Sequence, residues 1–148
     1  MTLPNTDLHI LLKEILETGY LLSLASVDTS GPWVSDVIYT YDSDLNLYWV
    51  SQLKSRHSKA FAQNSKAAGS ITVVEKPEGQ ATGVQLEGAV FEVDAIPPVA
   101  HKRYSLKRNR KELWQLAPQE QWYKLTPTKF DLIYEPLFGF TKKSLSIT

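Results

Sequence analysis

The chain of 148 residues contains no cysteine. Disulfides, zinc–thiolate sites, iron–sulfur clusters and cysteine nucleophiles are excluded together, so any redox chemistry has to come from a bound cofactor. Neither sign of charge is in excess, since 16 Lys and Arg balance 16 Asp and Glu. A domain-wide basic excess of the kind that nucleic-acid binders carry is therefore missing. No basic segment leads into an apolar core and cleavage site at the N-terminus, and no apolar run reaches the roughly 18 residues of a membrane helix. These absences point to a cytoplasmic protein that partners neither nucleic acid nor membrane. His9, His57 and His101 are too scattered for a metal site, and Ser-His-Asp order, paired carboxylates and HExxH are all lacking.

One absence is local. Between Asp44 and Glu75 there is no carboxylate, while Lys54, Arg56, Lys59 and Lys66 accumulate with His57 inside the tightest part of the cluster. The stretch reads as strand (Leu45 to Val50), basic turn, short helix and strand. Ser55 is placed to cap the helix, with Arg56, His57 and Ser58 in the first turn and Phe61 as buried anchor. Cations at a helix N-terminus oppose the macrodipole, so the crowding suits a site where an anion sits. A solvated basic turn is the other reading of the same pattern.

The remaining residues, 43% of the whole being hydrophobic and 22% charged, suit one soluble domain over 1–148 with a core of useful size. Leu8, Leu11, Leu12, Ile15 and Leu16 recur at helical spacing, with Asn5 or Thr6 as cap and Gly19 as stop, so residues 1–18 form a packing helix. His9 beside that stripe receives no function. Tyr20 to Asp28 and Trp33 to Tyr41 read as a hairpin across Thr29-Ser30-Gly31-Pro32, and Asp42-Ser43-Asp44 turns into the strand at Leu45. Ala67 to Glu75 is a fourth strand, Lys76 to Gln80 a solvated loop, and Gly83 to Ile96 a long fifth strand with Gly88 as bulge or close-approach point.

After Pro97-Pro98, residues 97–117 read as a helical insertion of one or two helices carrying His101, Lys102, Arg103, Lys107, Arg108, Arg110 and Lys111. Arg103, Lys107, Arg110 and Lys111 can share one face, as a phosphate stripe or, more commonly, as a solvated or interface face. Residues 118–148 supply short strands at Gln121 to Leu125 and Lys129 to Tyr134. The segment from Phe138 onward is an edge strand or a tail crossing a partner. Many antiparallel strands with few helices indicate a mainly β barrel or sandwich.

The hydrophobic strand, the Asp28-Thr29-Ser30-Gly31-Pro32-Trp33 turn, the strand ending in Ser51, the Ser55-Arg56-His57 turn and the Val84-Gln85-Leu86-Glu87-Gly88 strand occur in a specific order. Over residues 19–94 this order resembles the pyridoxamine 5′-phosphate oxidase-like FMN-binding split-barrel proteins, and Phe138 to Lys143 is similar to an uncharacterised branch of them. The resemblance implies a six-stranded antiparallel Greek-key barrel, a homodimer, and FMN in the groove between subunits. It implies Ser51, Lys54, Ser55, Arg56 and His57 around the phosphate, with Lys59 as a further contact. It also implies Ser35, Val37 and Tyr39 along the isoalloxazine, and Gln85 reaching in from one side of the groove. In place of the oxidase's arginine-rich ending this chain has LFGFTKKSLSIT, so the resemblance does not extend to vitamin B6 oxidation. His57 stands where many relatives carry lysine or arginine.

The function expected on this basis is FMN-dependent oxidoreduction of a small molecule, the flavin supplying the hydride or electron transfer. A flavin or haem carrier or sensor without turnover, and a deazaflavin-dependent reductase, are the alternatives.

Overall fold

The computed structural model describes residues 5–74 and 78–147, without the side chains of residues 5 and 6. The capping role expected of Asn5 or Thr6, and the expectations at residues 75–77, fall outside the described part. The first helix, α1 (Asn5–Thr18), buries Leu8, Leu12, Ile15 and Leu16 and ends where the Gly19 N–H donates to the Ile15 carbonyl at 2.8 Å. A Cβ on Gly19 would lie 2.5 Å from the Tyr39 hydroxyl, so only glycine lets the chain turn this close to the barrel.

Eight strands among the described residues form one antiparallel sheet. They are β1 (Leu21–Asp28), β2 (Gly31–Ile38), β3 (Thr40–Tyr41), β4 (Leu47–Gln52), β5 (Lys66–Val73), β6 (Thr82–Val93), β7 (Glu120–Tyr134) and β8 (Lys143–Ser146). Helices α2 (Arg56–Gln63), α3 (Pro98–Lys107) and α4 (Glu135–Phe138) flank it. The order is β2-β1-β5-β6-β7-β4-β3, with β8 also on β7. β2 and β3 are separated by one residue in the chain yet stand at opposite ends of the order. The sheet must curl until its two edges meet, which makes the architecture a split barrel with eight strands where six are expected.

The seam of that barrel is at Tyr39. The strand expected from Trp33 to Tyr41 breaks here because β2 pairs with β1 while Thr40 and Tyr41 pair with Tyr48 and Leu47 of β4. Tyr39 is fully buried and its hydroxyl donates to the Leu16 carbonyl at 2.7 Å, locking α1 against the break. Alternate residues of the strands fill the interior, among them Leu22, Leu24, Trp49, Ile71, Val84, Val90, Leu125 and Phe130. A second cluster of Tyr48, Ile96, Ala100, Tyr104 and Trp122 docks α3 on the outside.

The two short strands expected at 121–125 and 129–134 are one 15-residue strand, β7. Pro127 does not interrupt it, because β4 stops pairing at Leu125 and β8 begins at Lys129, so the missing N–H falls in the gap between two neighbours. On the other side Pro127 faces Gly88, where the register with β6 shifts. A Cβ on Gly88 would meet the Thr126 carbonyl oxygen, which identifies Gly88 as both bulge and close approach. The segment after Phe138 becomes the edge strand β8 of the two readings offered for it. Of the one or two helices expected within 97–117, the structure forms α3, which ends at Lys107, with Arg108 as cap and Asn109 at φ 58°. Arg110 and Lys111 therefore lie beyond α3 and share no helical face with Arg103 and Lys107.

Candidate functional site

The α2 corner assembles as its local sequence requires. Ser55 is in extended conformation and its Oγ accepts from the Ser58 N–H, capping α2. Ser58, Ala60 and Phe61 turn inward, so the helix sits on the end of the β1–β2 hairpin, with Arg56 and His57 half-buried and Lys59 exposed. Ser51, at the end of β4, places its Oγ 2.8 Å from His57 Nε2, and Ser55 Oγ lies 3.4 Å from the same nitrogen. Burial lowers the His57 pKa below its ordinary value, so the imidazole is neutral at pH 7. Lys54, Arg56, Lys59, Ala60 and Gln63 line a hollow of about 470 Å³ together with Asp28, Thr29 and Ser30 of the hairpin turn.

Asp28 is the residue that sequence reasoning missed. The local run has no acid, but the hairpin brings one from 28 positions away: Arg56 Nε donates to Asp28 Oδ2 at 2.9 Å and Nη2 to Oδ1 at 3.2 Å. The Ser30 N–H also donates to Oδ1, at 2.8 Å. The hydrogen bond from Arg56 is the largest cause holding the Asp28 carboxyl below its ordinary range. The Arg56 guanidinium lies over the Trp33 ring, 4.3 Å from its centroid. Trp33 stood in the turn motif at Asp28 to Trp33, and that shared turn was the available signal for the contact.

The donor set suits a phosphate. It comprises helix N–H groups, the Ser51 and Ser55 hydroxyls, a neutral imidazole, two exposed lysines and an arginine that already holds an anionic fork. Asp28 marks where that fork finds negative charge. The residues expected along the flavin ring are distributed differently. Ser35 is half-buried on β2, but the side chains of Val37 and Tyr39 belong to the core. Gln85 lies on the opposite, outward face of the sheet, where Lys142 Nζ donates to its Oε1 at 2.6 Å. Within one chain Gln85 and the α2 corner do not meet.

The basic segment after Pro98 has a structural use. Lys107 Nζ donates to the Tyr39 carbonyl at 2.7 Å, and Arg103 Nη1 to the Tyr41 carbonyl at 3.1 Å. Thr40 Oγ1 donates to the Ala100 carbonyl at 2.8 Å. Two carbonyls at the strand break thus receive charge-assisted hydrogen bonds from α3, and the cations also cover the Tyr39 and Tyr41 rings. Arg108 and Arg110 stack over Trp114, at 4.5 and 5.3 Å.

Among the described residues no helix is long and apolar enough to cross a membrane, and no group of three or more His, Cys, Asp or Glu is placed to hold a metal. No family model matches the chain. It is 29% identical to UPF0306 protein PM1958 of Pasteurella multocida (strain Pm70) over 82 residues, which is 55% of this chain and 55% of that protein. The match thus spans about half the length of that relative. The heme binding protein of Mycobacterium smegmatis superposes with a TM-score of 0.74 at 14% identity, over 99% of this chain and 59% of that one. A Listeria innocua protein assigned as a pyridoxamine 5′-phosphate oxidase superposes with a TM-score of 0.67 at 16% identity, over 85% of this chain and 98% of that one. At such identities the likeness is one of architecture, and in architecture this chain is a split barrel of the pyridoxamine 5′-phosphate oxidase-like type.

Proposed function

We propose that the chain binds FMN, with the phosphate at the N-terminus of α2, and works as a homodimeric oxidoreductase on a small molecule. The observation that carries this reading is the α2 corner: a Ser55-capped helix start whose first turn holds Arg56 and His57 and no acid, joined by the Ser51 hydroxyl. Lys54 and Lys59 add charge without being tied into the core, and Lys54, Ser55 and Arg56 are contiguous, as a compact dianion needs. Bound FMN would supply the hydride or electron transfer; the residues of this chain bind its phosphate, shield it and orient it.

The placement of Gln85 supports a dimer. Gln85 shares the outward face with Leu21, Ser23, Ala25 and Val27 of β1, Val34 and Asp36 of β2 and Ala68 and Ser70 of β5, an apolar patch towards the hairpin turn that is bordered at Gln85 by Glu87, Lys129 and Asp131. Leu21, Val27 and Val34 are 41%, 47% and 64% exposed there. A second copy covering this face would bring a partner Gln85 towards the ring of a flavin anchored at α2, and the opened groove would take the substrate. Some split barrels bind haem, as the M. smegmatis neighbour's name states. Here His57 and His101 both have Nε2 engaged, on Ser51 and on the Trp114 carbonyl, which favours the flavin.

Titration of the purified protein with FMN, followed by flavin absorbance and fluorescence together with the mass of the complex, tests the reading. Saturation at one FMN per chain in a dimer is expected. A protein that takes up haemin and not FMN, or neither, overturns it.

A further inference from the structure

We infer that the hollow between α1, β3 and α3 is a binding site for a small monocarboxylate with an apolar body, gripped by Lys107 and Arg103. This site does not rest on the flavin reading. It lies where β1 begins and β2 ends, whereas the α2 corner lies at the hairpin turn, about 25 Å away along a strand of this length.

The hollow measures about 370 Å³ and is walled by Leu16, Tyr20, Tyr41 and Leu106, with Lys107 and Arg103 on the α3 side. Lys107 is a half-buried cation. Among the described residues its acceptor is the Tyr39 carbonyl, and an ammonium carries three donors. Arg103 is bound to the Tyr41 carbonyl and approaches Glu17 only at 3.9 Å, while Glu17 Oε2 accepts from the Tyr41 hydroxyl at 2.5 Å. With Lys107 protonated, two cations against one carboxylate leave a single net positive charge. That balance suits a monoanion and disfavours a phosphate dianion, which Glu17 would repel. The apolar wall gives the rest of the ligand somewhere to go.

The charged and titratable groups around Lys107 are Glu17 of α1, Tyr20 at the start of β1, Tyr39 and Tyr41 at the seam, and Arg103 of α3. Desolvation brings the Lys107 pKa down to about 8 even with Glu17 opposing it. A bound carboxylate raises it again, so binding above pH 8 takes up a proton.

Calorimetric titration with benzoate at pH 8.5, in two buffers of different ionisation enthalpy, tests the site in the full chain. Expected are saturable binding with net proton uptake, weaker binding of inorganic phosphate, and loss of about tenfold in affinity together with the uptake in Lys107→Met. In Glu17→Gln, benzoate binds more tightly and phosphate gains. Should Lys107→Met not fold, the proton uptake of the parent and the Glu17→Gln response still decide. Absence of saturable benzoate binding, binding without proton uptake, or equal affinity in a folded Lys107→Met overturns the site. FMN affinity unchanged in Lys107→Met keeps this test separate from that of the α2 corner.

Discussion

The α2 corner and the α3 face each gather several cations within a short stretch of chain, and the fold treats them in opposite ways. At α3, Arg103 and Lys107 are drawn inward onto the carbonyls of Tyr41 and Tyr39, and Arg108 and Arg110 onto Trp114. At α2, Lys54 and Lys59 remain exposed, Arg56 sits half-buried on one carboxylate, and the hydroxyls of Ser51 and Ser55 converge on the His57 ring. A run of positive residues therefore carries different meanings according to what the backbone beside it lacks. Where a strand breaks, cations replace missing ladder partners; where a helix begins, the N–H groups need an anion and the cations add to that need.

The contrast breaks most visibly if α3 is undocked. Tyr104 is 1% exposed and packs edge-on against Trp114 and Trp122. Tyr104→Ala should lower unfolding free energy by about 3–5 kcal/mol in urea titrations, the scale for losing a large buried ring, while FMN affinity per folded molecule stays as in the parent. An equal loss of FMN affinity would merge the two regions into one. At the other corner, Arg56→Ala should weaken FMN roughly ten- to hundredfold by fluorescence titration, the scale of a hydrogen bond to a charged group, with little change in melting of the apo form. Asp28→Asn releases the guanidinium from its internal anion and should tighten FMN by up to about tenfold, most at low salt. Ser55→Ala removes the cap of α2 and should lower stability by about 1 kcal/mol and weaken FMN to a similar small degree.

Much of this could be read before any coordinates. The leucine spacing of α1, the hairpin, the Ser55 cap and the Gly88 irregularity are local signals, and each is realised. The seam was not legible, because the break at Tyr39 follows from barrel closure: residues 31–38 and 40–41 look like one strand and serve opposite sheet edges. Likewise Pro127 argues against a strand until the gap between β4 and β8 is known to fall beside it. In the candidate site, the hydroxyls and cations of 51–59 were visible as a cluster. Asp28, which holds Arg56 in the free protein, was not, since the contact spans a hairpin and a helix. Val37 and Tyr39 were expected to wall the flavin, but alternation along β2 turns Val37 into the core and the break after β2 buries Tyr39 against α1.

The two corners also separate by pH. Lys107 has a folded pKa lowered from 10.5 to about 8, so the unfolded chain holds more protons between these values and stability should rise with pH across that window. Above pH 10 the sign reverses: Tyr41 and Tyr104 are pushed up to about 12 by burial, and stability falls as the unfolded chain ionises first. His57, with a lowered pKa, contributes stability above 6.5 that fades as pH falls below it. Urea unfolding of the parent against pH should show the alkaline rise, Lys107→Met should lack it, and the fade below pH 6.5 should persist in that variant. A profile identical in parent and Lys107→Met would remove the seam lysine from the account.

The central claim is that the α2 corner recognises a phosphate, and a comparison of FMN with riboflavin measures it directly, because the two differ by that group alone. Titrated side by side at low ionic strength, the parent protein should bind FMN at least about a hundredfold more tightly than riboflavin. In Arg56→Ala that ratio should shrink at least tenfold, with riboflavin affinity unmoved. Equal affinities for the two flavins in the parent, or a ratio that Arg56→Ala leaves intact, would contradict it.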